Sequence, residues 1–93
     1  MTFYLKDPQA RIDYGVDWAP GYLDGQVIAA STWRVDPVET GGIAVEAESF
    51  DLVRTAAVLS GGVAGHVYRV GNRITLTDGR SDERSLVIRV EQR

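Results

Sequence analysis

No cysteine occurs in this chain of 93 residues, so no disulfide staples its fold and no thiolate can serve as nucleophile or zinc ligand. That fits a reducing compartment. A single histidine, His66, stands beside a glycine turn; with no second histidine or cysteine to complete a transition-metal site, it reads as a solvated or hydrogen-bonded residue. Long apolar runs are missing too. Met1 to Pro8 has neither a basic start nor a long apolar core, so neither a secretory signal nor a membrane-spanning segment is expected. Positive charge is in deficit: 10 Lys and Arg against 13 Asp and Glu give a net charge of −3, which argues against a general nucleic-acid binder. Arg69, Arg73 and Arg89 are expected on one strand face, where ordinary surface charge on a wet sheet accounts for them. Proline is scarce, with three residues, and no window carries apolar positions at helical spacing with caps at both ends.

What the chain does have is alternation. From His66 to Val90, Tyr68, Val70, Ile74 and Leu76, then Leu86, Ile88 and Val90, alternate with polar residues, so both runs read as half-buried strands of an antiparallel hairpin. The polar segment from Asp78 to Glu83 reads as its tip, with the Asp78-Gly79 step supplying the positive φ of a tight turn. Further strands are expected over Arg11–Trp18, Val27–Val35, Ile43–Glu48 and Leu52–Leu59, and Phe3–Leu5 is a candidate seventh. Ile12, Tyr14, Val16 and Trp18 share one face; Val27, Ala29, Ser31, Trp33 and Val35 another; Ile43, Val45 and Ala47 a third. Leu52–Leu59 is apolar on both faces near its end, as a central strand should be.

Turn residues recur at short intervals, at Ala19-Pro20-Gly21, Asp24-Gly25, Asp36-Pro37, Gly41-Gly42, Gly61-Gly62, Gly65 and Asp78-Gly79. The length suffices for one core. The expected fold is therefore all-β, an immunoglobulin-like or fibronectin-III-like antiparallel β-sandwich of six or seven strands, with residues 1–93 as a single domain and 1–7 as a possible N-terminal arm. Tyr68, just after the Gly61–Gly65 connection, is placed to lay its ring in the core and return its hydroxyl to the backbone. Trp33 is expected to fill the core. At about 25 cal/mol per Å² over roughly 150–250 Å² each, burying these two rings contributes several kcal/mol apiece before entropy.

Chemistry-bearing patterns are sparse. Ser60-Gly61-Gly62-Val63-Ala64-Gly65 is glycine-rich but lacks the Gly-Lys-Ser/Thr ending of a phosphate loop, and reads as a flexible connection. Asp78, Asp82 and Glu83 offer carboxylates at the hairpin tip, but not at the spacing of a helix-loop-helix calcium site. Asp13 and Asp17 are expected on one strand face as solvated carboxylates. No catalytic residue, metal or cofactor is indicated.

The blocks Lys6-Asp7-Pro8, Asp13-Tyr14-Gly15-Val16-Asp17-Trp18, Ser31-Thr32-Trp33, Leu59 to Gly65, Tyr68 to Thr75 and Gly79 to Val90, taken in order, resemble a family of small tailed-phage and prophage proteins of the fiber-tail adaptor type. The resemblance covers Lys6 to Val90. It implies a non-enzymatic structural subunit of the virion, made in the host bacterial cytoplasm. It also implies other phage tail proteins as partners and an oligomer in the assembled particle, without nucleic acid or membrane. The candidate contact residues are Phe3, Tyr4 and Leu5, more apolar than a frayed end requires; Tyr22 and Leu23, apolar for a loop tip; and Asp82 and Glu83 at the hairpin tip. Phe3–Leu5 reads equally as an arm on an adjacent subunit or as the first strand of its own domain. The competing reading, from another class, is a small carbohydrate-binding module in which Trp18, Tyr22 and Trp33 offer stacking planes; it requires two of them exposed and coplanar.

Overall fold

Alternating apolar residues need a second surface to bury against, and the chain supplies it by folding into two stacked sheets. The computed structural model describes residues 2–18 and 25–92, the side chains from Tyr4 onward. Within them run seven strands, β1 (Thr2–Lys6), β2 (Ile12–Asp17), β3 (Ile28–Asp36), β4 (Ile43–Phe50), β5 (Arg54–Gly61), β6 (Val67–Leu76) and β7 (Ser81–Val90), and no helix. One sheet has the order β1-β7-β6-β3 and the other β2-β5-β4. β5 is the central strand of its sheet, as its two apolar faces require. The chain changes sheets after β1, β2, β3 and β5, and stays within a sheet at the β4–β5 and β6–β7 hairpins.

Four details depart from the sequence expectations. β1 pairs within its own domain, with β7, from Thr2 opposite Leu86 to Lys6 opposite Val90, and it does so in parallel, so the sandwich is not wholly antiparallel. A register shift between Ile28 and Ala30 puts Ile28 rather than Val27 and Ala29 on the core side of β3. A second shift, between Val45 and Ala47, sets Glu48 and Phe50 opposite the buried Ala57 and Thr55, and sets Ala47 opposite Val58. In both places an extra residue in one strand reverses which face the following side chains occupy. Finally, β7 begins at Ser81, so Asp82 and Glu83 lie in the strand, opposite Ile74 and Arg73, rather than at the tip. Asp78 alone does the turn chemistry: its carboxylate accepts from the Arg80 N–H at 3.0 Å and from Arg80 Nε at 2.6 Å.

The core is in two parts. Trp33, Ile43, Leu59, Tyr68, Val70, Ile88 and Val90 fill the larger, and Trp18, Ile28, Ile74 and Leu76 the smaller. Between them sits a buried polar layer. Asn72 Oδ1 accepts from Thr55 Oγ1 at 2.6 Å and from Trp18 Nε1 at 3.1 Å, while its Nδ2 donates to Ser31 Oγ at 2.9 Å and the Thr32 carbonyl at 3.0 Å. Every donor and acceptor of that amide is used, which a buried amide requires.

Candidate interaction surface

β1 positions the first group of candidates by alternation. Tyr4, opposite Ile88, turns toward the other sheet, yet stays 40% exposed because it stands at the seam between the sheets. Its ring meets Tyr14 of β2 edge to face, 4.9 Å between centroids, and closes the seam there. Burial, with Tyr4 adding to it, pushes the Tyr14 hydroxyl above the usual tyrosine range. Leu5 turns outward and is 47% exposed. Across the outer face it continues in a row through Arg89 to Val67, itself 50% exposed, so two apolar side chains flank one arginine on a flat sheet surface. Phe3 pairs by its backbone with Val87 in the same sheet.

β1 ends in a residue the sequence reading passed over. Lys6 is only 2% exposed, and its ammonium donates to three carbonyls, Asp7 and Ala10 in the following turn at 3.0 and 2.6 Å and Gly61 at the end of β5 at 2.6 Å. Three donors meet three acceptors, and the charge bolts β1 to the opposite sheet. Desolvation lowers the Lys6 pKa from its ordinary 10.5, with Asp7 opposing it. Nothing local in the sequence shows this, because the acceptors are backbone atoms that every residue carries.

Near the same end lies the Tyr68 corner. The ring is fully buried, and its hydroxyl accepts from the Val63 N–H at 3.0 Å, as expected. It also donates to Glu39, whose carboxylate takes a second bond from His66 Nδ1 at 2.7 Å. The Tyr68 hydroxyl first, and the His66 ring second, hold the Glu39 carboxyl below its ordinary range; burial first, and then that carboxylate, push the Tyr68 hydroxyl up. The glycine connection between β5 and β6 is tied down rather than loose: Gly62 N–H donates to Gly41, Gly65 N–H to Val90 and His66 N–H to Val63. Gly62 has φ +111°, and a Cβ there would stand 2.6 Å from Val90 Cγ2, so no larger residue fits.

Asp82 and Glu83 lie on opposite faces of β7. The Glu83 carboxylate lies on the outer face, 3.5 Å from Arg34 Nη2 of β3, and Asp82 Oδ1 accepts from the Glu83 N–H at 2.7 Å. Next along, Arg84 turns toward the other sheet, lays its guanidinium 4.7 Å from the Trp18 ring centroid and donates to the Asp17 carbonyl at 3.2 Å. Here a groove of about 610 Å³ opens between β7 and β2, lined by Tyr4, Val16, Trp33, Arg84, Ser85 and Leu86 among others. Trp33 is 9% exposed, and its indole N–H is the one buried side-chain polar group among the described residues without a partner. Leaving a buried donor unmet costs about 1–3 kcal/mol.

The tertiary structure therefore brings Tyr4 and Leu5 together on β1 and places Asp82 and Glu83 further along the same sheet. Tyr22 and Leu23 lie outside the described residues. Both tryptophans are buried, Trp18 completely, so neither offers an exposed stacking plane for a sugar. Residues 6–89 match the family described as Podophage GP4 fiber-tail adaptor protein gp77. No curated protein matches the chain.

Proposed function

The chain belongs to the podophage fiber-tail adaptor family, and from that membership we propose that it is a structural subunit of a tailed-phage or prophage particle, working by protein–protein contact and catalysing no reaction. The observation that carries the reading is the extent of the match, which runs from the buried Lys6 almost to the end of β7. The chemistry agrees with it: the inward polar groups are spent on structure, Asn72 and Thr55 within the core and Lys6 on carbonyls. The strand order also supports the finer fold reading. Sheets β2-β5-β4 and β1-β7-β6-β3 correspond to the BED and CFG sheets of an immunoglobulin-like sandwich, with the first strand moved across to lie beside the last.

In this reading the partners are other tail proteins and further copies of the chain in the assembled particle. The product of synthesis in the host cytoplasm becomes part of the virion. The contact surfaces are the outer row of Leu5, Arg89 and Val67, with Phe3 on the same strand, and the β7 segment bearing Asp82 and Glu83. Purified particles digested and quantified by peptide mass spectrometry test it. A fixed copy number per particle is expected, and absence from well-formed particles overturns the assignment. Reversing the charges of Asp82 and Glu83 is expected to weaken assembly while sparing the melting temperature; loss of both together marks those residues as folding determinants instead.

A further inference from the structure

Over Ser81–Ser85, β7 pairs with β6 and with no other described strand, because β1 joins β7 only from Leu86 onward. Val90 N–H donates to the His66 carbonyl, and the Arg80 carbonyl accepts from Leu76 N–H, so the even-numbered residues turn their backbone groups toward β6. Alternate residues of an antiparallel ladder point the other way, so Ser81, Glu83 and Ser85 direct theirs to the side on which β1 stops. Glu91, odd-numbered, does so visibly, donating to the Lys6 carbonyl. The Glu83 N–H is covered by its neighbour's carboxylate Asp82 Oδ1, and the Ser85 carbonyl lies where Thr2 enters the ladder, which leaves the N–H groups of Ser81 and Ser85 and the carbonyls of Ser81 and Glu83 facing no described strand. Beside this open edge lies the inter-sheet groove, and Trp33, whose buried indole N–H has no acceptor, is part of its lining. Among the described residues, an unpaired ladder edge, a groove with both polar and apolar walls and an unmet donor meet in one place.

We propose that this slot is a strand acceptor, taking an extended terminal segment of a neighbouring tail protein along Ser81–Ser85, in line with β1. The segment places an apolar side chain in the groove between Tyr4, Val16 and Leu86, and an oxygen acceptor at the Trp33 N–H. The identity of the neighbour as a tail protein rests on the function proposed above; the slot itself does not. The dimensions favour a tail over a folded edge. Thr2 closes the slot at one end and the β6–β7 turn at the other, so an occupant must leave the sheet at both ends. A second copy pairing antiparallel through the same edge would set Glu83 against Glu83 when centred there, with like charges directly opposed. Backbone pairing supplies affinity in such an arrangement, and the pockets for alternate side chains supply selection.

The test uses short synthetic peptides covering the N- and C-terminal tails of the other proteins of the same particle, added to the intact ¹⁵N-labelled chain. One of them is expected to slow amide exchange at Ser81 and Ser85 and to shift the Trp33 indole N–H signal. Ser85→Pro, which removes an N–H on the slot side, is expected to abolish that binding. Replacing Trp33 by β-(3-benzothienyl)alanine keeps the bicyclic ring in the core and deletes only the unmet donor. It should weaken binding about tenfold, the worth of a well-placed hydrogen bond, without lowering the melting temperature. Edge amides already protected in the free chain overturn the proposal. So does a chain present at fixed copy number in particles whose edge no tail peptide protects, which leaves the tail assignment standing. A chain missing from particles whose edge also binds none of the peptides overturns both.

Discussion

Replacing Asn72 by leucine should lower stability by about 2–4 kcal/mol, although leucine repeats the branched outline of the amide and belongs between two apolar clusters. The magnitude follows from what the amide holds. Its oxygen is the acceptor for the Thr55 hydroxyl at 2.6 Å and shares the Trp18 indole N–H at 3.1 Å; its nitrogen serves Ser31 and the Thr32 carbonyl. After substitution Trp18 keeps a bond to Thr55 Oγ1 at 3.2 Å, half-buried Ser31 can turn to water, and the Thr32 carbonyl keeps Arg73, its partner across the β3–β6 ladder, but the Thr55 hydroxyl, 1% exposed, loses its acceptor. The stranded hydroxyl at about 1–3 kcal/mol and the crowding by leucine, bulkier than the amide, at about 1–3 kcal/mol, less the apolar burial that leucine adds, give the stated range. Urea unfolding followed by tryptophan fluorescence measures it; for a domain of this size the melting temperature should drop by at least about 10 °C. The double variant Asn72→Leu/Thr55→Val should cost less than the sum of the single changes by about 1 kcal/mol, because both delete the same bond. A loss below about 1 kcal/mol for Asn72→Leu, or strict additivity in the cycle, would refute the claim that the polar layer is a coupled unit.

Gly62→Ala should cost about 2 kcal/mol or more by urea titration, since its φ of +111° excludes alanine and the new methyl carbon would lie 2.6 Å from Val90 Cγ2. Lys6→Met should destabilise by about 2–4 kcal/mol and raise amide exchange across β1 and the Asp7–Ala10 turn, because three carbonyls lose a charged donor; unchanged exchange in β1 would show that its pairing with β7 suffices alone. Glu39 has a folded pKa depressed below its ordinary 4.5, so its contribution is present above that pH and lost as pH falls through the folded value. Glu39→Gln should therefore be less stable than the parent near neutrality, with the gap narrowing as the pH is stepped down from 7 into acid, read from urea midpoints; a gap that does not narrow would assign the loss to packing. Deleting residues 2–5 should lower the melting temperature, since these residues are paired strand; an unchanged melting temperature would restore the arm.

Period-two alternation is a local property, and local reading recovered what depends on it. The strands around Tyr14, Trp33, Val45, Val58, Val70 and Ile88 lie where their patterns put them, because a strand with one apolar face is decided by its own residues. The Tyr68 hydroxyl bond was legible for the same reason, a large ring beside a glycine turn with a donor within reach. Partner choice is not local. Whether Thr2–Lys6 swings free or pairs depends on β7, more than eighty residues away, and the parallel sense of that pairing has no mark in either strand. A single extra residue near Ile28 and another after Val45 reversed the faces of Ala29 and Ala47, which alternation by itself assigns wrongly. Lys6 looks like a surface residue, and its ligands are carbonyls, invisible in any sequence. So the strands, the turns and the family were determined by the sequence alone. The polar layer, the lysine bolt and the open edge of β7 arise only where distant segments meet, because backbone groups gain or lose their partners there and nowhere else.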